Sequence, residues 1–93
     1  MDAYRDALQV YTFERFPQAW AATQNNLGAA LKEQALQTAE ADAAKLLAQA
    51  VDAYRAALQV FSKRDFASFH DIISRNLEDA ALHLAAYEHK TQH

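Results

Sequence analysis

Few side chains in this 93-residue sequence have the type and spacing that chemistry needs. His89 and His93 stand four apart, which on a helix places two imidazoles on one face, as in the first half of a metal site. No third ligand stands near them. They belong to the polar stretch Glu88-His89-Lys90-Thr91-Gln92-His93, which reads as a solvated, fraying end that holds no metal. His70 and His83 are thirteen positions apart and form no ligand set. The acidic pairs Asp2/Asp6 and Glu78/Asp79 fall where solvated helix faces are expected, so general acid–base work has no framework. There is no cysteine, no glycine-rich phosphate loop and no nucleophile-elbow pattern. The expectation is a protein that is not an enzyme and carries no cofactor. Asn25, Asn26 and Asn76 each offer a donor and an acceptor, so they can pair with an extended peptide backbone without reading its side chains. Equally, Asn26 and Asn76 can bond to a neighbouring helix or loop, and residue type leaves both uses open.

The elements that would position these residues are dictated by an internal duplication. Asp52-Ala53-Tyr54-Arg55-Ala56-Ala57-Leu58-Gln59-Val60-Phe61 repeats Asp2-Ala3-Tyr4-Arg5-Asp6-Ala7-Leu8-Gln9-Val10-Tyr11 fifty residues on, with eight of ten positions identical. The offset persists at Phe16/Phe66, Asn26/Asn76, Leu27/Leu77 and Ala30/Ala80. A period in this range is the mark of stacked repeats. Tyr4 and Tyr54 share one repeat position, so packing accounts for both rings better than chemistry does.

Composition points to helices. Alanine, leucine and glutamine abound, glycine and proline occur once each, and β-branched residues are too scattered to build a sheet. Four helices are expected, over about 2–14, 17–36, 39–62 and 66–88, in a single domain spanning 1–93. Ala3, Tyr4, Ala7, Leu8 and Tyr11 form the first apolar stripe. Phe16-Pro17 ends that helix, and Pro17 suits the first turn of the next. Gly28, inside the second helix, costs about 1 kcal/mol relative to alanine there and marks a close helix approach. Thr38 and Asp65 are the expected N-caps of the third and fourth helices.

No glycine or proline stands between Ala29 and Phe66, so a second path competes with a break near Gln37-Thr38. A continuous helix from Pro17 to about Ser62 would be roughly 68 Å long, and its flanking helices would pack on a second chain in a domain-swapped dimer. The expected core is Tyr4, Leu8, Tyr11, Trp20, Leu27, Leu31, Leu47, Val51, Tyr54, Leu58, Phe61, Phe69, Ile73, Leu77 and Leu84. Some of these should stay exposed where the array ends, because a repeat cannot cover its own faces. Self-association as a homo-oligomer follows from that exposure.

The remaining exclusions come from charge and hydropathy. Nine basic against twelve acidic residues give a net charge of −3, against the basic face that nucleic acid requires. No apolar run approaches a membrane span, and Met1-Asp2-Ala3-Tyr4-Arg5 lacks the pattern of a signal peptide. A cytoplasmic location is expected.

Asn26-Leu27-Gly28, with Leu31 a turn later, resembles the first helix of a tetratricopeptide repeat, and Ala50-x3-Tyr54-x2-Ala57 resembles its second helix. Tyr4-x2-Ala7 ends an earlier copy of the same pattern. The resemblance covers the whole chain out of phase: a second-type helix, one full repeat, then a first-type helix. It departs from the family in its period of 50 against the standard 34, in Glu78 where Gly28 should recur, and in His70 for Trp20. It implies antiparallel αα-hairpins and a scaffold that binds a protein or peptide segment on its concave face. Residues just before the Leu-Gly pair would line that face, which singles out Asn25, Asn26, Arg75 and Asn76, with Lys32 and Glu33 at its edge. The alternative is a structural module whose partner is its own copy, or a fragment of a longer array.

Overall fold

The computed structural model describes residues 2–91; Met1, Gln92 and His93 lie outside it, as do the side chains of Asp2, His89, Lys90 and Thr91. Four helices follow one another: α1 (Asp2–Val10), α2 (Pro17–Ala35), α3 (Glu40–Leu58) and α4 (Ala67–Thr91). No strand occurs among the described residues. α3 packs against both α2 and α4, whereas α1 packs on α2 alone.

The chain turns between α2 and α3, so the two helices do not run on as one. The Gln37 and Thr38 N–H groups donate to the Gln34 and Ala35 carbonyls at 3.1 and 3.2 Å, tightening the last turn of α2. The Thr38 hydroxyl donates to the Gln34 carbonyl at 2.6 Å. Thr38 thus closes α2 and does not cap α3, whose N-cap is Ala39 with no side-chain bond. Glu40 and Asp42 in the first turn supply the negative charge that the exposed N–H groups favour.

The two junctions that flank the central hairpin share one turn, although in the repeat register α3 ends at Leu58 two positions earlier than α1, whose last residue Val10 is the counterpart of Val60. After α1 and after α3 the chain stops four residues short of the expected helix ends, at Val10 and Leu58. In each case a hydroxyl residue intervenes. The Arg15 N–H donates to Thr12 Oγ1 at 3.4 Å, and the Asp65 N–H donates to Ser62 Oγ at 3.2 Å. The Phe16 and Phe66 N–H groups then donate to the Thr12 and Ser62 carbonyls, both at 2.8 Å. Such local bonds offer the backbone an alternative to the helix ladder. Asp65 does not take the N-cap position expected of it, because α4 begins at Ala67 and Phe66 is the residue that flanks it. An edge-to-face pair closes each turn, Tyr11–Phe16 at 5.8 Å and Phe61–Phe66 at 5.2 Å. At the far end α4 continues to Thr91, past the expected limit of 88.

Burial separates the middle of the chain from its ends. Leu31, Leu47, Tyr54 and Ile73 are the largest side chains fully withdrawn from water, each worth about 1.5–3 kcal/mol. Between them sit Ala21, Ala35, Ala43, Ala50, Ala57 and Ala80, all fully buried. Alanine at the contacts lets the helix axes come close, and the sequence stripes, weighted by large residues, do not show this. Tyr4, Leu8, Trp20, Leu58, Leu77 and Leu84 are partly covered. Tyr11 and Phe69, both expected in the core, are 41% and 54% exposed. Tyr11 comes directly after α1, the helix that packs on α2 alone. Phe69 takes the place of Ala19, which is itself only half-buried, so this position of the repeat is not an interior one.

Candidate functional site

The position of α2 over α3 is set by the one glycine. A Cβ on Gly28 would stand 2.8 Å from the Tyr54 ring, so only glycine admits that ring at its present depth. Burial pushes the Tyr54 phenol above its usual value by desolvation. With α3 held behind, α2 and α4 come side by side at the front.

Along α2 the residues Gln18, Ala22, Asn25, Ala29, Lys32 and Leu36 follow steps of four, three, four, three and four, a single helical stripe. All six line two adjoining hollows between α2 and α4. Phe69, Ile73 and Asn76 answer them from α4 at steps of four and three. The larger hollow, about 410 Å³, has an apolar side formed by Phe61, Phe69 and Ile73. Its Phe61 and Phe69 rings stack at 4.9 Å. The smaller, about 220 Å³, lies against Lys32, Leu36 and Tyr54. Asn25 borders the first and Asn76 the second. Between them the Asn76 side-chain amide donates to Asn25 Oδ1 at 3.5 Å, a long bond that leaves most of the hydrogen-bonding capacity of both amides unused.

The candidate residues are therefore partly assembled. Asn25, Asn26, Asn76 and Lys32 all line the α2–α4 groove. Asn26 is exposed, and Asn25 rather than Asn26 meets Asn76. Lys32 forms an ion pair with Asp79 of α4, so a ligand would have to compete for its ammonium group. Arg75 is exposed and lines neither hollow. Glu33 is exposed at the rim of the smaller one. Asp79 is also tied to His83, whose Nδ1 lies 2.9 Å from the Asp79 carbonyl oxygen. A carbonyl only accepts, so that nitrogen carries the proton.

His70 fills the place of Trp20, as the repeat register implies. Trp20 stacks edge-to-face on Phe13 at 5.1 Å. The counterpart of Phe13 is Lys63, so His70 has no such ring, and its buried Nδ1 makes no hydrogen bond. The His89/His93 pair lies outside the described side chains. Among the described residues no three His, Cys, Asp or Glu side chains gather as a metal site would require. No helix among them is long and apolar enough to cross a membrane.

Two contributors to the groove escape a reading for polar residues: the Phe61–Phe69 wall, and Asn25 as the partner of Asn76. The four-three spacing through Asn25 is the signal that locates both stripes. No family model, curated protein or solved structure matches this chain.

Proposed function

We propose that this chain is a non-enzymatic, tetratricopeptide-like scaffold that binds a protein or peptide segment in the groove between α2 and α4. The observation that carries this reading is the pair of matched stripes, which sets an apolar wall at Phe61, Phe69 and Ile73 beside free amide capacity at Asn25, Asn26 and Asn76. An extended peptide needs both: a place for an apolar side chain, and groups that pair with its backbone. The groove supplies no nucleophile beside a base, which favours recognition over reaction.

The test is a peptide array probed with the full chain, followed by titration of the strongest peptides. The Asn26→Ala/Asn76→Ala double variant should lose tenfold or more in affinity, with its unfolding midpoint nearly unmoved. An array with no signal above background, or peptides that bind the double variant equally well, would sink the proposal. A large loss of stability would instead assign the two amides to packing.

The alternative of a self-association module draws support from Val10, Tyr11, Phe13 and Phe16, four exposed apolar side chains gathered at the first junction. Light scattering at micromolar concentration discriminates the two, because a clean monomer removes the second reading.

A further inference from the structure

Arg75 and the exposed apolar side chains of α4 share one stripe. Ser68, Ile72, Arg75, Asp79, Leu82 and Ala86 follow steps of four, three, four, three and four, a single helical face about 27 Å long. Ile72 and Leu82 are 53% and 71% exposed, and Ser68, Arg75 and Ala86 are exposed with them. None of the six lines either hollow of the α2–α4 groove. Fifty residues earlier, the same six positions form the stripe by which α2 borders α4. On α2 this face lies beside a helix; on α4 it is largely open to water.

Reversed about Leu77, the α4 stripe reads onto itself. Ile72 exchanges with Leu82, Arg75 with Asp79, and Ser68 with Ala86. Two copies laid antiparallel therefore meet aliphatic on aliphatic and cation on anion, with the small residues at both ends. A parallel pair would instead oppose Arg75 to Arg75 and Asp79 to Asp79. The four-three spacing is that of a coiled-coil seam, in which side chains of one helix enter holes between those of the other. Such a hole is present. A shallow hollow of about 380 Å³ lies among Glu78, Ala81 and Leu82, where reversal brings Ile72 of the second copy. Asp79 is open to a second cation, since Lys32 meets its Oδ2 and its Oδ1 lies 3.8 Å from His83 Nδ1. A face shaped for an unrelated protein has no reason to match its own reverse. We propose that α4 pairs antiparallel with α4 of a second copy through this stripe, about a two-fold axis level with Leu77. The contact is separate from the groove and from the apolar cluster at the first junction, and it gives Arg75 a role that the groove does not.

One helix pair buries little surface, so the dimer is weak and has to be sought at high concentration. Sedimentation equilibrium from about 10 µM to about 1 mM should show the parent passing from monomer to dimer. Arg75→Asp and Asp79→Arg each oppose like charges at two symmetric places, and each alone should weaken association about tenfold or more. Mixed in equal amounts, the two variants restore opposite charges at both places, and dimer should return as a pair of unlike chains. Leu82→Ser should weaken association to a similar degree and leave the unfolding midpoint of the dilute monomer in place, since that side chain is 71% exposed. It carries the test by itself if Asp79→Arg unsettles α2 by stripping Lys32 of its partner. A parent that stays monomeric over the whole range overturns the proposal. So does a dimer that persists in Arg75→Asp and Leu82→Ser, or a mixture of folded charge variants no better associated than either alone. Species that grow beyond the dimer would mean head-to-tail contact between different faces, and would overturn it as well.

Discussion

Tyr11 and Phe61 occupy the same place in two copies of one turn, yet Phe61 is 5% exposed and Tyr11 is 41% exposed. The turns that follow them share their local contacts, from the hydroxyl that receives an N–H to the aromatic pair that closes the turn. What differs is the company. α3 lies between α2 and α4, and Phe69 of α4 stacks on Phe61. α1 has only α2. Tyr4 and Tyr54 repeat the lesson, the first partly covered and the second almost fully buried. Local sequence therefore fixes the shape of each turn, and the number of neighbouring helices decides how much that turn contributes to stability.

The largest test of this contrast is to remove the two tyrosines separately. Tyr54→Ala should cost about 3–5 kcal/mol, the usual range for deleting a buried ring, and Tyr4→Ala about 1 kcal/mol. Urea denaturation of the two variants reads the difference directly. Equal costs would mean that α1 is as firmly held as α3, against the contacts seen. A smaller effect separates Gly28 from its counterpart Glu78. Gly28→Ala drives a Cβ into the Tyr54 ring, whose overpacking cost of about 1–3 kcal/mol outweighs the helix propensity gained. Glu78→Ala, on an exposed face, should stay within about 0.5 kcal/mol of the parent. In a Tyr54→Leu background the loss at Gly28→Ala should shrink or reverse, and additivity in that cycle would break the link between the two residues.

The all-helical class and the number of helices were legible because stripes, the proline and the duplication agree with one another. Gly28 was legible as a close approach, though the partner ring was not, since Tyr54 is brought there only by tertiary packing. The helix ends at Val10 and Leu58 were misplaced because apolar periodicity runs on through Tyr11 and Phe61. The hydroxyl pair Thr12/Ser62, which is visible in the alignment of the two copies, organises the turn after each of these helices. Of the groove, the amides could be named in advance. Its apolar wall could not, because Phe69 falls on the apolar stripe of its helix and only the placing of α4 beside α2 leaves it at the groove. The ion pair that engages Lys32 depends on the distance between α2 and α4, which no pattern along one helix contains.

Those hydroxyls give the next test. Ser62→Ala and Thr12→Ala should each cost about 1 kcal/mol, as a lost helix cap does, and by nearly the same amount. Here the two copies should agree, because the bond is local and independent of neighbouring helices. A cost at Ser62 several times that at Thr12 would show that burial strengthens the turn as well as surrounding it.

The smallest effect is silent at neutral pH and confined to the buried tyrosine. Because desolvation raises the Tyr54 phenol in the folded state, the folded chain keeps this proton where the unfolded chain has begun to lose it. The resulting stability is complete below the unfolded tyrosine value of about 10 and is lost as pH rises through the higher folded value. Between the two the unfolded state binds fewer protons, so stability falls with pH, by at most about 1.4 kcal/mol per pH unit for one proton. Lysine titration adds its own slope in this range, which the parent shares with a Tyr54→Phe variant. The excess slope of the parent over that variant isolates the one group. Unfolding midpoints measured at intervals from pH 8 upward should run parallel at first and then diverge, with the parent falling faster. Parallel curves throughout would mean that the Tyr54 hydroxyl reaches water through the smaller hollow it lines, and that its ring alone is buried.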